Sequence, residues 1–173
     1  GARNNMVKTA LMLLAPTKFL DEEYYETREV LEKKKIKVTT TSISQIAESK
    51  QGRHEEVDLI IHELEDLYDV LVLVGGGGSR EYYEDQDVLE LAKRYVAEKK
   101  IVAAICAAPG ILAHAGLLEG KKATSTEDDQ PLLESKGAKL VQEDVVIDGN
   151  IITANGPPAS KAFAEAIAKK LKA

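Results

Sequence analysis

The chain holds a single cysteine, Cys106, within the stretch VAAICAAPG, residues 102–110. A branched apolar run stops at this residue, and two alanines, a proline and a glycine follow. Free cysteine is among the most buried residue types, so a lone one is ordinarily a small core hydrophobe. Here the surroundings favour reactivity. A strand that enters a helix through one residue makes the sharp turn of a nucleophile elbow. Such an elbow needs small residues two places before and after the nucleophile, as in GxSxG. Ala104 and Ala108 meet that steric need, and Pro109 suits a first helical turn. The helix should then begin within a residue or two of Cys106. That would set the sulfur by the positive end of the helix dipole, where a thiol pKa falls.

A nucleophile of this kind needs a proton acceptor. Three histidines are present: His54, His62 and His114. His114 lies about 12 Å along a helix from the sulfur at 1.5 Å per residue, out of reach. His54 in GRHEEVD and His62 in IHELED are flanked by acids and are placed on exposed turns. A Cys–His hydrolase arrangement is therefore unsupported. A carboxylate is the better candidate. Leu20, Tyr24, Thr27 and Leu31 form one stripe at helical spacing. At about 100° per residue, Glu23 lies roughly 60° from the centre of that stripe, whereas Glu22 and Glu29 face the other way. Acids in DEEYYE also complement a helix N-terminus, which accounts for Glu22 but less readily for an inward-flanking Glu23. In a partly apolar site that carboxyl would have a raised pKa and hold its proton. Gly75 to Gly78 lack the Gly-Lys-Ser/Thr of a P-loop. Two readings of them stay open: a flexible loop, or backbone N–H donors for a developing oxyanion.

The elements that must position these groups alternate along the chain. KTALMLL (8–14), IKVTTTS (36–42), DVLVLV (69–74) and IVAAI (101–105) read as strands. Helices are expected over 21–35, 87–100, 109–116 and 160–173. VDLIIHEL (57–64) is ambiguous between a strand and a turn of helix, and a further strand is placed at 122–125. EDVVIDGNIITA (143–154) carries Asp148, Gly149 and Asn150 between apolar runs, a hairpin signal. Near-continuous apolar strands alternating with helices imply a mostly parallel sheet covered on both faces. Ligands of such sheets bind outside the carboxyl ends of the strands. Val74 runs into the four glycines at that edge, and Ile105 into the cysteine.

Composition narrows the function classes. The 173 residues, 44% hydrophobic and 30% charged, are those of an ordinary globular protein expected to form one domain over 6–173. GARNN before Met6 resembles a cloning remnant. A formal net charge of -6 argues against a nucleic-acid partner held through phosphates. One cysteine excludes an internal disulfide framework and a cysteine-based zinc cluster. No apolar run reaches membrane-span length and no signal peptide is visible, so a cytoplasmic protein without a membrane partner is expected.

With those residues in place, the chain resembles the DJ-one/ThiJ/PfpI superfamily, of class I glutamine amidotransferase-like fold, over nearly its whole length. FLDEEYYE resembles the acidic first-helix motif, and YDVLVLVGGGG the glycine turn. VAAICAAPGILAHAGLLEGKKAT resembles the elbow, and VVIDGNIITANGPPAS the C-terminal hairpin and loop. The resemblance implies a flavodoxin-like three-layer α/β/α sandwich, commonly homodimeric, with no cofactor and no metal. By position it implies Cys106 as nucleophile, Glu23 as the carboxyl that hydrogen-bonds it, and the backbone of Gly76 and Ala107 as oxyanion donors. PfpI-type peptidases carry a histidine directly after the cysteine, where this chain has Ala107. The Parkinson-associated branch carries a histidine in the strand-end motif after the elbow, where this chain has Thr126. The chain looks like the microbial CAAP or CIAP branch. The expected function is cysteine-dependent chemistry on a small-molecule aldehyde, glyoxalase III-like or deglycase-like. The alternative is a redox-responsive or chaperone-like stress protein. A peptidase or an amidotransferase-like hydrolase ranks below both.

Overall fold

The computed structural model describes residues 6–173, and the expected remnant at 1–5 lies outside the described residues. The chain opens with β1 (Thr9–Leu13), whose apolar run is buried, and passes into α1 (Asp21–Lys33). β2 (Lys37–Ser42) returns parallel to β1, with Thr9 opposite Lys37. A small antiparallel hairpin follows, β3 (Ile46–Glu48) with β4 (His54–Glu56), and then β5 (Leu59–Ile60). β6 (Val70–Leu73) leads through a 3-10 turn over Gly77–Tyr82 to α2 (Gln86–Ala97). β7 (Ile101–Ile105) is followed by the short α3 (Pro109–His114). An excursion carries β8 (Lys122–Ala123), α4 (Gln130–Ser135) and β9 (Lys139–Leu140). β10 (Val145–Asp148), β11 (Ile151–Ala154) and α5 (Ser160–Leu171) complete the chain.

Seven strands form one sheet in the order β10-β11-β7-β6-β1-β2-β5. Every neighbouring pair is parallel except the β10–β11 hairpin, where Gly149 supplies the positive φ of the turn. α1 packs beside α5 over one face, and α2 with α3 covers β6 and β7 on the other. This is the mostly parallel, doubly covered sheet expected from the alternation of elements, and the flavodoxin-like three-layer sandwich that the resemblance implies. From β1 the chain steps first to β2 on one side, then to β6 on the other. Right-handed crossovers therefore put α1 and α2 on opposite faces. The sheet order reverses at β1 and β6, and a crevice opens outside their carboxyl ends. The end of β1, the glycine turn after β6 and Cys106 after β7 all come to that crevice.

The ambiguous segment 57–64 is both things: two strand residues in β5, then a 3-10 turn over Ile61–Glu63. The strand placed at 122–125 is only two residues long and pairs with β9, outside the main sheet. The β3–β4 hairpin and α4 were not expected. His-Glu-Glu in β4 shows no apolar alternation, and α4 is a six-residue helix with a proline in its first turn. His54 accordingly sits on a strand rather than a turn, exposed and 2.8 Å from Glu48. α2 starts one residue early because the Asp85 side chain accepts a hydrogen bond from Val88 N–H, capping the helix.

β6 is the fully buried strand that delivers the glycine turn, and Leu71 at its centre is 0% exposed. Leu71→Ala should lower unfolding stability by about 2–5 kcal/mol through lost burial and the cavity left behind. Urea titration followed by circular dichroism measures this.

Candidate active site

Cys106 follows β7 directly, at φ 67 in the left-handed region. The other non-glycine residues with positive φ among the described residues are all lysines, Lys18, Lys35, Lys99 and Lys172. A cysteine held there is the strained turn of a nucleophile elbow. Two hydrogen bonds from other elements over-determine it. Cys106 N–H donates to the Ala154 carbonyl at 2.9 Å, and Thr126 N–H donates to the Cys106 carbonyl at 2.8 Å. Thr126, marked in the sequence only as a missing histidine, therefore holds the elbow through its backbone. The helix α3 opens at Pro109, three residues past the sulfur.

Glu23 comes from the first turn of α1, whose buried flank carries Tyr24, Thr27 and Leu31 as the stripe required. Glu23 is 0% exposed, while Glu22 and Glu29 face solvent. Its carboxyl lies against the Cys106 thiol and the Gly75 N–H, the two groups that favour its charge. Neither oxygen makes a fully aligned hydrogen bond, so the pairing is a close contact that tightens only with a shift of either group. Burial nevertheless dominates and pushes the Glu23 carboxyl up to about 8.

The thiol departs from the dipole expectation. Burial, then the nearby Glu23 charge, push Cys106 up to about 12, against the pull of the Gly76 and Ala107 N–H groups. α3 is too short, and begins too late, to reverse this. With Glu23 protonated, its charge no longer opposes the thiolate. The pair thus titrates as one unit in which a single proton can sit on either atom.

The glycine run is packed closely against its surroundings at three of its four positions, Gly75, Gly76 and Gly78. A Cβ on Gly75 would collide with a Glu23 carboxyl oxygen, the Ile105 carbonyl and the Cys106 Cβ, so only glycine lets acid and thiol meet. Gly76, at φ 113, has no room for a Cβ beside the Lys18 carbonyl. Ser79 Oγ donates to the Gly76 carbonyl at 2.7 Å and fixes that peptide. Gly76 and Ala107, the two expected donors, thus both turn an N–H toward the sulfur.

Sequence reasoning missed Tyr83 and Arg80. Tyr83 donates its hydroxyl hydrogen bond to the Ala107 carbonyl at 2.7 Å, and its ring stacks on His114 at 4.7 Å between centroids. His114 therefore supports the tyrosine that holds the peptide after Cys106. Burial lowers its pKa, which suits a neutral stacked ring. Arg80 reaches Asp129 through Nε at 3.2 Å and a terminal nitrogen at 2.8 Å. The run GGGGSREYYED contained both residues, but nothing in their spacing told that Tyr83 folds back over the elbow.

A cavity of about 240 Å³ opens over the sulfur, lined by Cys106, Ala107, Gly76, Gly77, Leu20, Thr126 and three cations. It is smaller than the roughly 300–1,000 Å³ usual for drug-sized ligands and suits a compact substrate. A larger groove of about 690 Å³ between α1 and Glu55 lacks the cysteine, so the smaller cavity is the candidate site. His54 and His62 line neither. Among the described residues no group of three His, Cys, Asp or Glu is placed to hold a metal ion, and no helix is long and apolar enough to cross a membrane.

A flavodoxin-like sandwich with a cysteine elbow, a buried carboxyl and a glycine turn defines the class of protein. Consistent with this, the sequence profile of the DJ-1/PfpI family matches residues 8–170. The chain belongs to the DJ-1/PfpI family. It is 37% identical to an uncharacterized protein of Methanocaldococcus jannaschii over 98% of this chain and 86% of that one. It is 30% identical to a deglycase of Pyrococcus abyssi over 94% and 99% of the two chains. The crystal structure of a ThiJ/PfpI domain protein from Brachyspira murdochii superposes with a TM-score of 0.93 at 33% identity, covering 96% and 97%.

Gly75→Ala should cost about 1–3 kcal/mol through overpacking and should separate acid from thiol. Chemical denaturation and the pH dependence of Cys106 alkylation measure the two effects. Glu23 also predicts a pH slope of stability. Its pKa rises from 4.5 to about 8 on folding, so between those values the unfolded chain releases a proton that the folded chain keeps. Stability should therefore fall as pH rises through that window, by at most about 1.4 kcal/mol per unit from this group. Glu23→Gln should flatten the slope in urea titrations from pH 5 to 9.

Proposed function

We propose that this chain is a cofactor-free, cysteine-dependent enzyme on small reactive carbonyls, glyoxalase III-like or deglycase-like. The observation that carries this reading is the strained Cys106 elbow with the buried Glu23 carboxyl against its thiol. The deglycase relative from Pyrococcus abyssi supports the same chemistry. The small cavity admits a three-carbon aldehyde and the backbone donors line its floor.

Methylglyoxal serves as the worked substrate. The active form is the pair with one proton. Glu23 carboxylate takes the thiol proton as sulfur bonds to the aldehyde carbon. The aldehyde oxygen becomes an alkoxide beside the Gly76 and Ala107 N–H groups, then takes the proton back from Glu23, leaving a hemithioacetal. Glu23 next removes the hydrogen on that carbon as a proton, giving an enediolate, and returns it to the neighbouring carbon while the hydroxyl proton passes from the first oxygen to the second. One carbon is oxidised and its neighbour reduced, so no external oxidant is required. Water cleaves the resulting thioester and releases lactate and the thiol. A deglycase reaction reaches the same hemithioacetal when the Cys106 sulfur displaces the amine or thiol of a preformed adduct, which leaves with the proton that Glu23 took from Cys106. Ala107 in place of a histidine supplies no second base, which argues for a modest rate and against peptidase chemistry.

A redox-responsive role for Cys106 remains the second reading. It needs an accessible thiolate, and the partial exposure of the sulfur favours it whereas the upward push on its pKa disfavours it.

Wild type should convert methylglyoxal to lactate and release amine from preformed adducts faster than they dissociate. Cys106→Ser should abolish both, and Glu23→Gln should lower kcat by about 10²–10⁴-fold. Equal turnover in all three proteins would sink the proposal. Because the carboxylate is the working base, kcat/KM should rise with pH through about 8, and Glu23→Gln should lose that limb. A stopped assay of lactate across pH 6 to 10 reads it.

A further inference from the structure

Three of the residues lining the Cys106 cavity carry charge, and all three are cations: Lys18, Lys50 and Arg80. No carboxylate lines it. The whole chain carries a net charge of -6, so this mouth opposes the overall field. Arg80 is compensated by Asp129, whose side chain is only 10% exposed. Lys18 and Lys50 are different. Both are exposed, and neither forms an ion pair with a described residue.

Their placement is built in by backbone bonds. Lys50 N–H donates to the Phe19 carbonyl at 2.8 Å, and Phe19 bridges Ser49, so the segments bearing the two lysines are tied together. Leu20 N–H donates to the Gly75 carbonyl at 3.0 Å, which ties the same segment to the glycine turn beside the thiol. The two free cations therefore stand at the rim of a cavity whose other lining is largely apolar or backbone. A low-dielectric wall beside unpaired like charges focuses their field on whatever enters.

We propose that the substrate of this site is a small carbonyl compound bearing an anionic arm, with its aldehyde at Cys106 and its carboxylate or phosphate toward Lys18 and Lys50. The proposal rests on the carbonyl chemistry above and sets the substrate class. A neutral three-carbon aldehyde fills the floor of the cavity and leaves the rim cations without a partner. An arm one or two carbons longer, ending in an anion, uses both regions. Lysine ammoniums suit this task as mobile point charges, since the fork of Arg80 is already engaged.

Charge selection can be read without turnover, because Cys106 is the one cysteine present. Rates of Cys106 alkylation by anionic iodoacetate and neutral iodoacetamide are measured at pH 8.5, each divided by the rate for a small free thiol. At low salt the normalised ratio should favour iodoacetate about tenfold and fall toward unity at high salt. In the Lys18→Gln, Lys50→Gln double variant it should be near unity at all salt concentrations. A wild-type ratio near unity, a ratio unchanged in the double variant, or a Cys106 that neither reagent reaches would each overturn the proposal. At fixed ionic strength, protection from iodoacetate by acetate supports a carboxylate arm. Protection by inorganic phosphate alone supports a phosphoryl arm, and protection by neither counts against both.

A turnover assay then separates this inference from the reading beneath it. The probes are 4,5-dioxopentanoate, which is methylglyoxal extended by a carboxymethyl arm, and its neutral methyl ester. A preference in kcat/KM of about tenfold for the acid supports the anionic arm. Turnover of both without preference overturns it and leaves the carbonyl chemistry standing. Charge-selective alkylation with no turnover of any α-oxoaldehyde overturns the carbonyl chemistry instead.

Discussion

A fully buried carboxyl set against a half-buried thiol sets the terms for the rest of this molecule. Neither the Glu23 carboxyl nor the Cys106 thiol can ionise cheaply, and they cannot both ionise together, because each anion repels the other. The surroundings answer this with fixed backbone dipoles rather than with a cationic side chain in contact. Gly75 N–H serves the carboxylate, and Gly76 and Ala107 N–H serve the sulfur. One proton shared between acid and thiol is the consequence, and it is also what carbonyl addition requires, since the same proton must leave sulfur and arrive on oxygen.

Holding that pair demands backbone conformations that most residues refuse. Cys106 sits in the left-handed region, and its neighbours in space leave no volume for a side chain at Gly75, Gly76 or Gly78. The strain persists because a neighbouring strand and the loop after β8 hold the elbow by hydrogen bonds, at Ala154 and at Thr126. Tyr83, pressed onto His114, adds a third restraint at the next peptide. A parallel sheet with a reversal of strand order is well suited to this. It brings the ends of β1, β6 and β7 to one edge, each stiffened by a buried strand behind it.

Above that neutral-leaning floor stands a positive rim. The contrast matters because charge at the rim acts on the arrival of substrate, while the floor acts on the proton. Arg80 is tied down by Asp129, whereas Lys18 and Lys50 remain available. The site therefore divides into a reactive depth built from backbone and a selective mouth built from side chains.

Much of this was legible in the residues themselves. The apolar runs and their spacing dictated the parallel sandwich, since continuous apolar strands must be covered on both faces. Small residues around Cys106 dictated the elbow, and helical periodicity separated Glu23 from Glu22. The β3–β4 hairpin and α4 were illegible because three polar residues or one short turn of helix carry no period. What only the tertiary structure decided depends on groups far apart in the chain. Burial by several elements raises the thiol pKa where a local dipole argument lowers it. Gly75 is indispensable only once Glu23 arrives against it, Tyr83 works on a peptide 24 residues away, and three scattered cations become a rim. Local sequence sets conformational preference and periodicity. Desolvation and charge proximity arise from distance in space, which the fold alone supplies.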